Sequence, residues 1–243
     1  MRQPRLYVDI PLAVGTSATL DPGASHYLAQ VLRLKAGDKL RPFNGSDGEF
    51  VASIETADRK KTTIAITDLS RQCEEPTLCV NLGLGLSRGD RMDFAIQKST
   101  ELGVTSLTPL YTQFSEVKFK QTERMEKKMN HWQKIAISAS EQSGRLTVPK
   151  INSPCSIEQW LENAQSSLKL ILSPRGDKSF SDLSASKHCD LLIGPEGGFS
   201  DQEIAAARKT AFAEISLGDR IMRTETAPIA ALAILQFRFG DLS

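Results

Sequence analysis

Hydrophobic positions change their rhythm once along this 243-residue chain. Over the first seventy residues they come in short alternating runs, the period of half-buried strands. Arg5–Ile10 alternates, and Lys39–Phe43 and Glu49–Glu55 flank Asn44-Gly45-Ser46-Asp47-Gly48, a strong hairpin turn. Thr62–Leu69 alternates again, and one segment, Ala24–Leu34, carries helical spacing instead. Strands this short and evenly spaced predict a small β-barrel domain over residues 1–70. Ser70–Pro76 is polar, ends in proline and has no period, which makes it the predicted linker.

Beyond it, apolar strands alternate with helices, the pattern of a parallel α/β sheet, so residues 71–243 are predicted to form an α/β domain. Strands are expected at Leu78–Leu86, Thr105–Tyr111, Leu168–Leu172, Cys189–Gly194 and Ala213–Gly218. A helix capped at Ser87–Asp90 runs to Leu102 and closes on Gly103. A long helix, Gln121–Ser143, lines up Met125, Met129, Trp132, Ala136 and Ala139 on one face and stops at Gly144. The last helix, Thr226–Phe239, is alanine- and aliphatic-rich and accepts Pro228 in its first turn.

Composition changes this picture little. At 40% hydrophobic, 24% charged and a net charge of +1, the chain is of ordinary globular make-up, and its charge singles out no partner. Cys73, Cys79, Cys155 and Cys189 are scattered, and His26, His131 and His188 do not cluster with them. No metal site is therefore expected, and buried thiols in a reducing compartment are the plainer reading. No stretch is apolar for long enough to be a signal peptide or to span a bilayer, so a cytoplasmic location without membrane attachment is expected.

The candidate chemistry sits at three late strand ends, where ligands of open α/β sheets bind. The first is Leu170–Gly176 (LILSPRG), where a strand breaks at Pro174. The second is Leu191–Ile204 (LLIGPEGGFSDQEI), with glycines that let a ligand approach the backbone. The third is Leu217–Pro228 (LGDRIMRTETAP), with two arginines and an acid before the last helix. Ser200-Asp201-Gln202-Glu203 reads as a capping box that already puts acids in the first helical turn. A phosphate would be repelled there, so the expected cofactor is uncharged or cationic at this end.

Taken together, LLIGPEGG, LGDRIMRTETA and the closing LQFRFGD resemble the RsmE family of ribosomal RNA uridine-N3 methyltransferases, within the SPOUT superfamily. The likeness extends to Ser87–Val104, to Glu141–Arg145, to PRLY and to His26–Asp38, and so covers nearly the whole chain in order. It implies a SPOUT α/β domain with a C-terminal trefoil knot, preceded by a PUA-like RNA-binding β-barrel. It also implies a homodimer, S-adenosyl-L-methionine as cofactor, and 16S ribosomal RNA, within the 30S subunit, as substrate. A sulfonium methyl donor without phosphate suits a glycine-lined loop flanked by acids, with Glu196 either orienting it or capping the loop. Carried over by position, the cofactor pocket comprises Leu172, Gly194, Pro195, Glu196, Gly197, Gly198, Leu217, Gly218, Ile221, Met222, Arg223 and Thr226. The chain departs from the family at Ser173-Pro174-Arg175, where relatives often carry an acid followed by Arg and Ser. Arg223 and Glu225 are the catalytic candidates, one to stabilise an anionic uracil oxygen and the other to accept the N3 proton. An Arg–Glu pair that merely pins the loop is the alternative. Arg5, His26, Arg33, Arg88, Lys98 and Arg145 are the candidate RNA contacts, against plain surface charge. The competing non-enzymatic reading is a catalytically inactive RNA-binding assembly factor on the same fold. A Rossmann enzyme ranks last, since no GxGxxG follows a first strand.

Overall fold

The computed structural model describes residues 3–115 and 122–242. They form two compact units: the chain up to Glu75 together with Ser140–Val148, and Pro76–Ala139 together with the chain from Pro149. The first unit thus takes in Gly144 and its surroundings, which the linear boundary at residue 70 does not anticipate.

The first unit contains β1 (Arg5–Tyr7), β2 (Ser17–Thr19), α1 (Pro22–His26), β3 (Lys39–Phe43), β4 (Glu49–Thr56) and β5 (Thr63–Arg71). The strands pair in the order β1-β3-β4-β5-β2, with three-residue strands at both edges. The small β-barrel expected is a half-barrel: the five strands run as one path with β1 and β2 unpaired to each other at its edges. Alternation does its work in β4 and β5, where Phe50, Ala52, Ile54, Ile64 and Ile66 are buried against Leu28 and Leu40. The hairpin turn is built as its residues require: Asn44 Oδ1 accepts from the backbone N–H groups of Ser46 and Asp47. The predicted helix over 24–34 divides in two. Asp21 caps α1, and Tyr27–Val31 winds as a π-helix that ends with Arg33 in the left-handed region, φ 55°. The predicted linker starts late, since Ser70 and Arg71 still belong to β5.

The second unit carries β6 (Cys79–Gly85), α2 (Gly89–Glu101), β7 (Ser106–Tyr111), α3 (Thr122–Ser143, its last turn counted with the first unit), β8 (Lys150–Ile151) and β9 (Cys155–Ser156). It continues with α4 (Ile157–Glu162), β10 (Leu168–Leu172), β11 (His188–Ile193), α5 (Asp201–Lys209), β12 (Ala213–Ile215) and α6 (Thr226–Phe239). Gln121, the predicted start of the long helix, lies outside the described residues. The strands are parallel in the order β12-β10-β11-β6-β7-β8, with β9 also on β7. The central strands β6 and β11 are apolar runs rather than alternating ones, as strands buried on both faces must be. The short β8, β9 and α4 carry too little period to be read from sequence. On α3, Trp132, Ala136 and Ala139 are buried as expected, while Met125 and Met129 are only half-buried. Trp132 Nε1 donates to Asp93 of α2 at 3.0 Å, and His131 and Lys128 meet the same carboxylate. Burial pushes Asp93 up, but those partners outweigh it and hold its carboxyl below the usual range. Of the cysteines, only Cys189 is buried; all four are free thiols.

Candidate active site

The three strand ends singled out in the sequence meet around one cavity of about 600 Å³, a size ordinary for a ligand site. Its floor and walls come from the ends of β10 and β11 and from the loop between β12 and α6. Of the residues carried over as cofactor contacts, Leu172, Gly194, Pro195, Glu196, Gly197, Gly198, Leu217, Gly218, Ile221, Met222 and Arg223 all line it. Thr226 does not; it is exposed at the start of α6, and its neighbours Thr224, Glu225 and Ala227 face the cavity instead. Ser173-Pro174-Arg175, the departure from the family pattern, also contributes to the wall, as does Arg91 from α2.

Glycine is required in the loop for stated reasons. Gly198 donates to Pro195 O at 2.8 Å to close the turn and takes φ 69°. Gly85, at the end of β6, lies so close under it that a Cβ there would stand 2.4 Å from Pro195 N. The sequence gives no signal for Gly85, since only the packing of one strand end under another strand's loop uses it. The expected capping box forms: Glu203 Oε2 accepts from Ser200 N at 2.8 Å, and Ser200 Oγ accepts from Glu203 N.

Charge is distributed unevenly around the cavity. Glu196 pairs with Arg91 at 2.9 Å, and Arg175 with Asp201 at 2.7 Å, both pairs well exposed. Glu225 differs from these. Its side chain is 17% exposed, its Oε1 lies 4.0 Å from Arg223, and its Oε2 is buried without a hydrogen-bond partner. Arg223 itself is 81% exposed. A carboxylate oxygen left bare at a cavity wall costs stability unless a ligand or a proton meets it. Among the described residues no His/Cys/Asp/Glu cluster is arranged to hold a metal, and no helix is long and apolar enough to cross a membrane.

The candidate RNA residues divide. In the first unit His26 and Arg33 are exposed. Arg5 is not: its side chain is 7% exposed, and its guanidinium pairs with the buried Glu49 and donates to the carbonyls of Ser140, Glu141 and Arg145. Four of its five N–H donors are used inside the unit, which makes it a structural cation rather than a surface one. Arg145 is half-buried and contacts Thr147. In the second unit Arg88 is the exposed N-cap residue of α2, and Lys98 is tied to Glu101 at 2.7 Å and lies over Phe94.

A parallel sheet with a glycine-rich cofactor-sized cavity at its late strand ends, preceded by a small half-barrel, makes a two-part α/β protein with a ligand site. Family models agree: residues 73–236 match an RNA methyltransferase domain and residues 20–67 an RNA methyltransferase PUA domain. The ribosomal RNA small subunit methyltransferase E of Buchnera aphidicola (subsp. Schizaphis graminum) is 39% identical over 246 residues, spanning 100% of this chain and 99% of its own. Its Rickettsia conorii counterpart is 33% identical over 96% of this chain. Among solved structures, a Legionella pneumophila protein in complex with bound SAM superposes with TM-score 0.95 at 40% identity, over 100% of both chains. The Neisseria gonorrhoeae ribosomal RNA small subunit methyltransferase E, bound to S-adenosyl methionine, gives 0.92 at 34%, also over 100% of both. This chain belongs to the ribosomal RNA small subunit methyltransferase E family.

Proposed function

We propose that this chain methylates N3 of one uridine in 16S ribosomal RNA, using S-adenosyl-L-methionine held in the cavity under the Gly194–Gly198 loop. The observation that carries the reading is that Glu225, one of the residues lining the cavity, has a buried Oε2 without a hydrogen-bond partner. The cavity fits the cofactor: its volume is adequate, its loop is open to backbone approach, and its lining offers both carboxylates, Glu196 and Glu225, and guanidinium groups, those of Arg91, Arg175, Arg220 and Arg223. When bound, S-adenosylmethionine supplies an electrophilic methyl group. The chain's own residues do the rest. Glu225 takes the N3 proton, directly or through one water, and Arg223, exposed beside it, swings onto the uracil oxygen where negative charge develops. N3 lies on the pairing edge of the base, so the uridine must be unpaired or extruded before it reaches the cavity.

In this reading residues 1–70 form the RNA-binding domain and residues 71–243 the catalytic one. His26 and Arg33 contact RNA from the first, with Arg88 and Lys98 from the second, and Arg5 supports rather than touches it. The C-terminal region forms a trefoil knot, a reading supported by strand order β12-β10-β11-β6 and by α6 returning to pack on α2. A homodimer is supported by α6, which is apolar all round and leaves Phe237 66% exposed. The protein works in the cytoplasm, where its substrate is.

The test is methyl transfer from labelled S-adenosylmethionine to small subunits that lack their own uridine-N3 methylation, followed by mapping of the modified base. Label at a single N3-methyluridine is the expected result. Label on another atom or on the large subunit refutes the assignment, and cofactor binding with no transfer to any RNA leaves the inactive assembly factor standing.

A further inference from the structure

Phe114 is a large aromatic side chain, 45% exposed, in the turn that follows β7. An exposed aromatic is unremarkable on a loose loop, but this turn is clamped. Ser115 N donates to Thr112 O at 3.2 Å, and the two hydroxyls of Thr112 and Ser115 meet at 2.8 Å. Glu203, only 6% exposed, ties the turn to the cavity: its Oε1 accepts from Gln113 N at 2.8 Å while its Oε2 accepts from Ser200 N. One buried carboxylate therefore fixes both the start of α5, just after the glycine loop, and the residue next to Phe114. Gly197 completes the arrangement. A Cβ there would stand 2.7 Å from Phe114 Cβ, so the loop is glycine at that point because Phe114 occupies the space.

A phenyl group whose backbone is clamped beside Gly197, a residue of the cavity lining, has no acid, base or hydrogen-bonding function. What it supplies is a π-face. A uridine taken out of its stack to expose N3 loses its neighbours, and aromatic side chains replace that stacking in single-stranded recognition. We propose that Phe114 is the stacking platform that receives the extruded target base beside Gly197 and holds its N3 edge toward Glu225. Phe114 is then a substrate-positioning residue; it makes no contact with the reacting atoms. This inference rests on the uridine-methylation reading above.

The experiment compares wild type with Phe114→Ala, Phe114→Leu and Phe114→Trp in steady-state methylation of small subunits, with calorimetric binding of S-adenosylmethionine and thermal melting alongside. Stacking on an aromatic is worth ~1–3 kcal/mol per base, roughly 5- to 150-fold. The expected result is a KM for the subunit raised by about that factor in Phe114→Ala and Phe114→Leu, with kcat changed far less. Phe114→Trp restores KM, and cofactor affinity and melting temperature stay at wild-type values. Rescue by Leu as well as Trp would overturn the proposal in favour of simple packing. So would a fall in cofactor affinity or melting temperature that accounts for the whole defect, or an unchanged KM in Phe114→Ala. Wild-type transfer to N3 in the same assay separates these outcomes from failure of the underlying reading, which would show as no wild-type transfer.

Discussion

Two carboxylates, Glu49 of the first unit and Glu225 of the second, are treated in opposite ways. In the first unit Glu49, at 1% side-chain exposure, is surrounded by arginines: Arg5 Nε at 2.5 Å, Arg71 Nη2 at 3.0 Å and Arg41 Nη1 at 3.5 Å. Arg5 in turn lies over the Phe43 ring and satisfies the carbonyls at the end of α3. Burial pushes Glu49 up, but the hydrogen bonds from Arg71 and Arg5 overcome it, and the carboxyl titrates below its ordinary value. In the second unit Glu225 lines the cavity and keeps one oxygen buried without a hydrogen-bond partner. A saturated charge has its partners in the fold and stabilises it; an unsaturated one at a cavity is kept for something that arrives. Exposure alone would not separate them, but the list of partners does.

The sharpest break of that comparison is Glu225→Gln, which keeps shape and removes the proton acceptor. Loss of a general base costs typically ~10²–10⁴-fold in rate, and kcat on small subunits should fall in that range while the melting temperature holds or rises. A variant with near wild-type kcat would return Glu225 to a loop-pinning role. Glu49→Gln is the mirror experiment, expected to destabilise by about 3–5 kcal/mol, the usual cost of breaking a buried ion pair, while calorimetric affinity for S-adenosylmethionine is unchanged. The same carboxylate gives a pH test. Because its folded pKa is lowered, its contribution is complete above the unfolded value near ~4.3 and is lost as pH falls through the depressed value. Denaturant titrations should therefore show wild type losing more stability than Glu49→Gln below about pH 4. Gly85→Ala probes the loop over the cavity: a Cβ 2.4 Å from Pro195 N must lift it, an overpacking of about 1–3 kcal/mol to be read as weakened cofactor binding by calorimetry. The smallest effect separates stability from recognition in the first unit. Arg33 pays for its left-handed backbone, so Arg33→Gly should raise stability by up to ~1 kcal/mol and yet weaken RNA binding in a filter assay. A gain in both would remove Arg33 from the RNA surface.

Local chemistry was legible along the chain. The switch from strand alternation to strand–helix alternation, the NGSDG hairpin, the Ser200–Glu203 capping box and the apolar α6 depend on residues near one another in sequence, and each formed much as its pattern requires. Elements of two or three residues, β2, β8 and β9, escaped because they are too short for an alternation to repeat. The strand predicted to reach Gly218 stops at Ile215, since the next backbone N–H, that of Ser216, turns aside to Lys178 O.

The glycine loops and the arginine–acid strand end were marked by sequence because the chemistry of a cofactor cradle demands particular residue types at fixed spacing. Which charges are spent and which are available was decided only by the fold. Arg5 reads as a surface cation, and its partners lie 44 and 135 residues away. Gly85 reads as an ordinary strand glycine until Pro195 is found beside it, and Phe114 as an ordinary loop aromatic until Glu203 is found holding its neighbour Gln113 and Gly197 packing against it. Periodicity records what a residue's neighbours along the chain require. Saturation of a charge, or room for a side chain, is set by groups brought together from distant parts of the chain, and only the folded structure contains them.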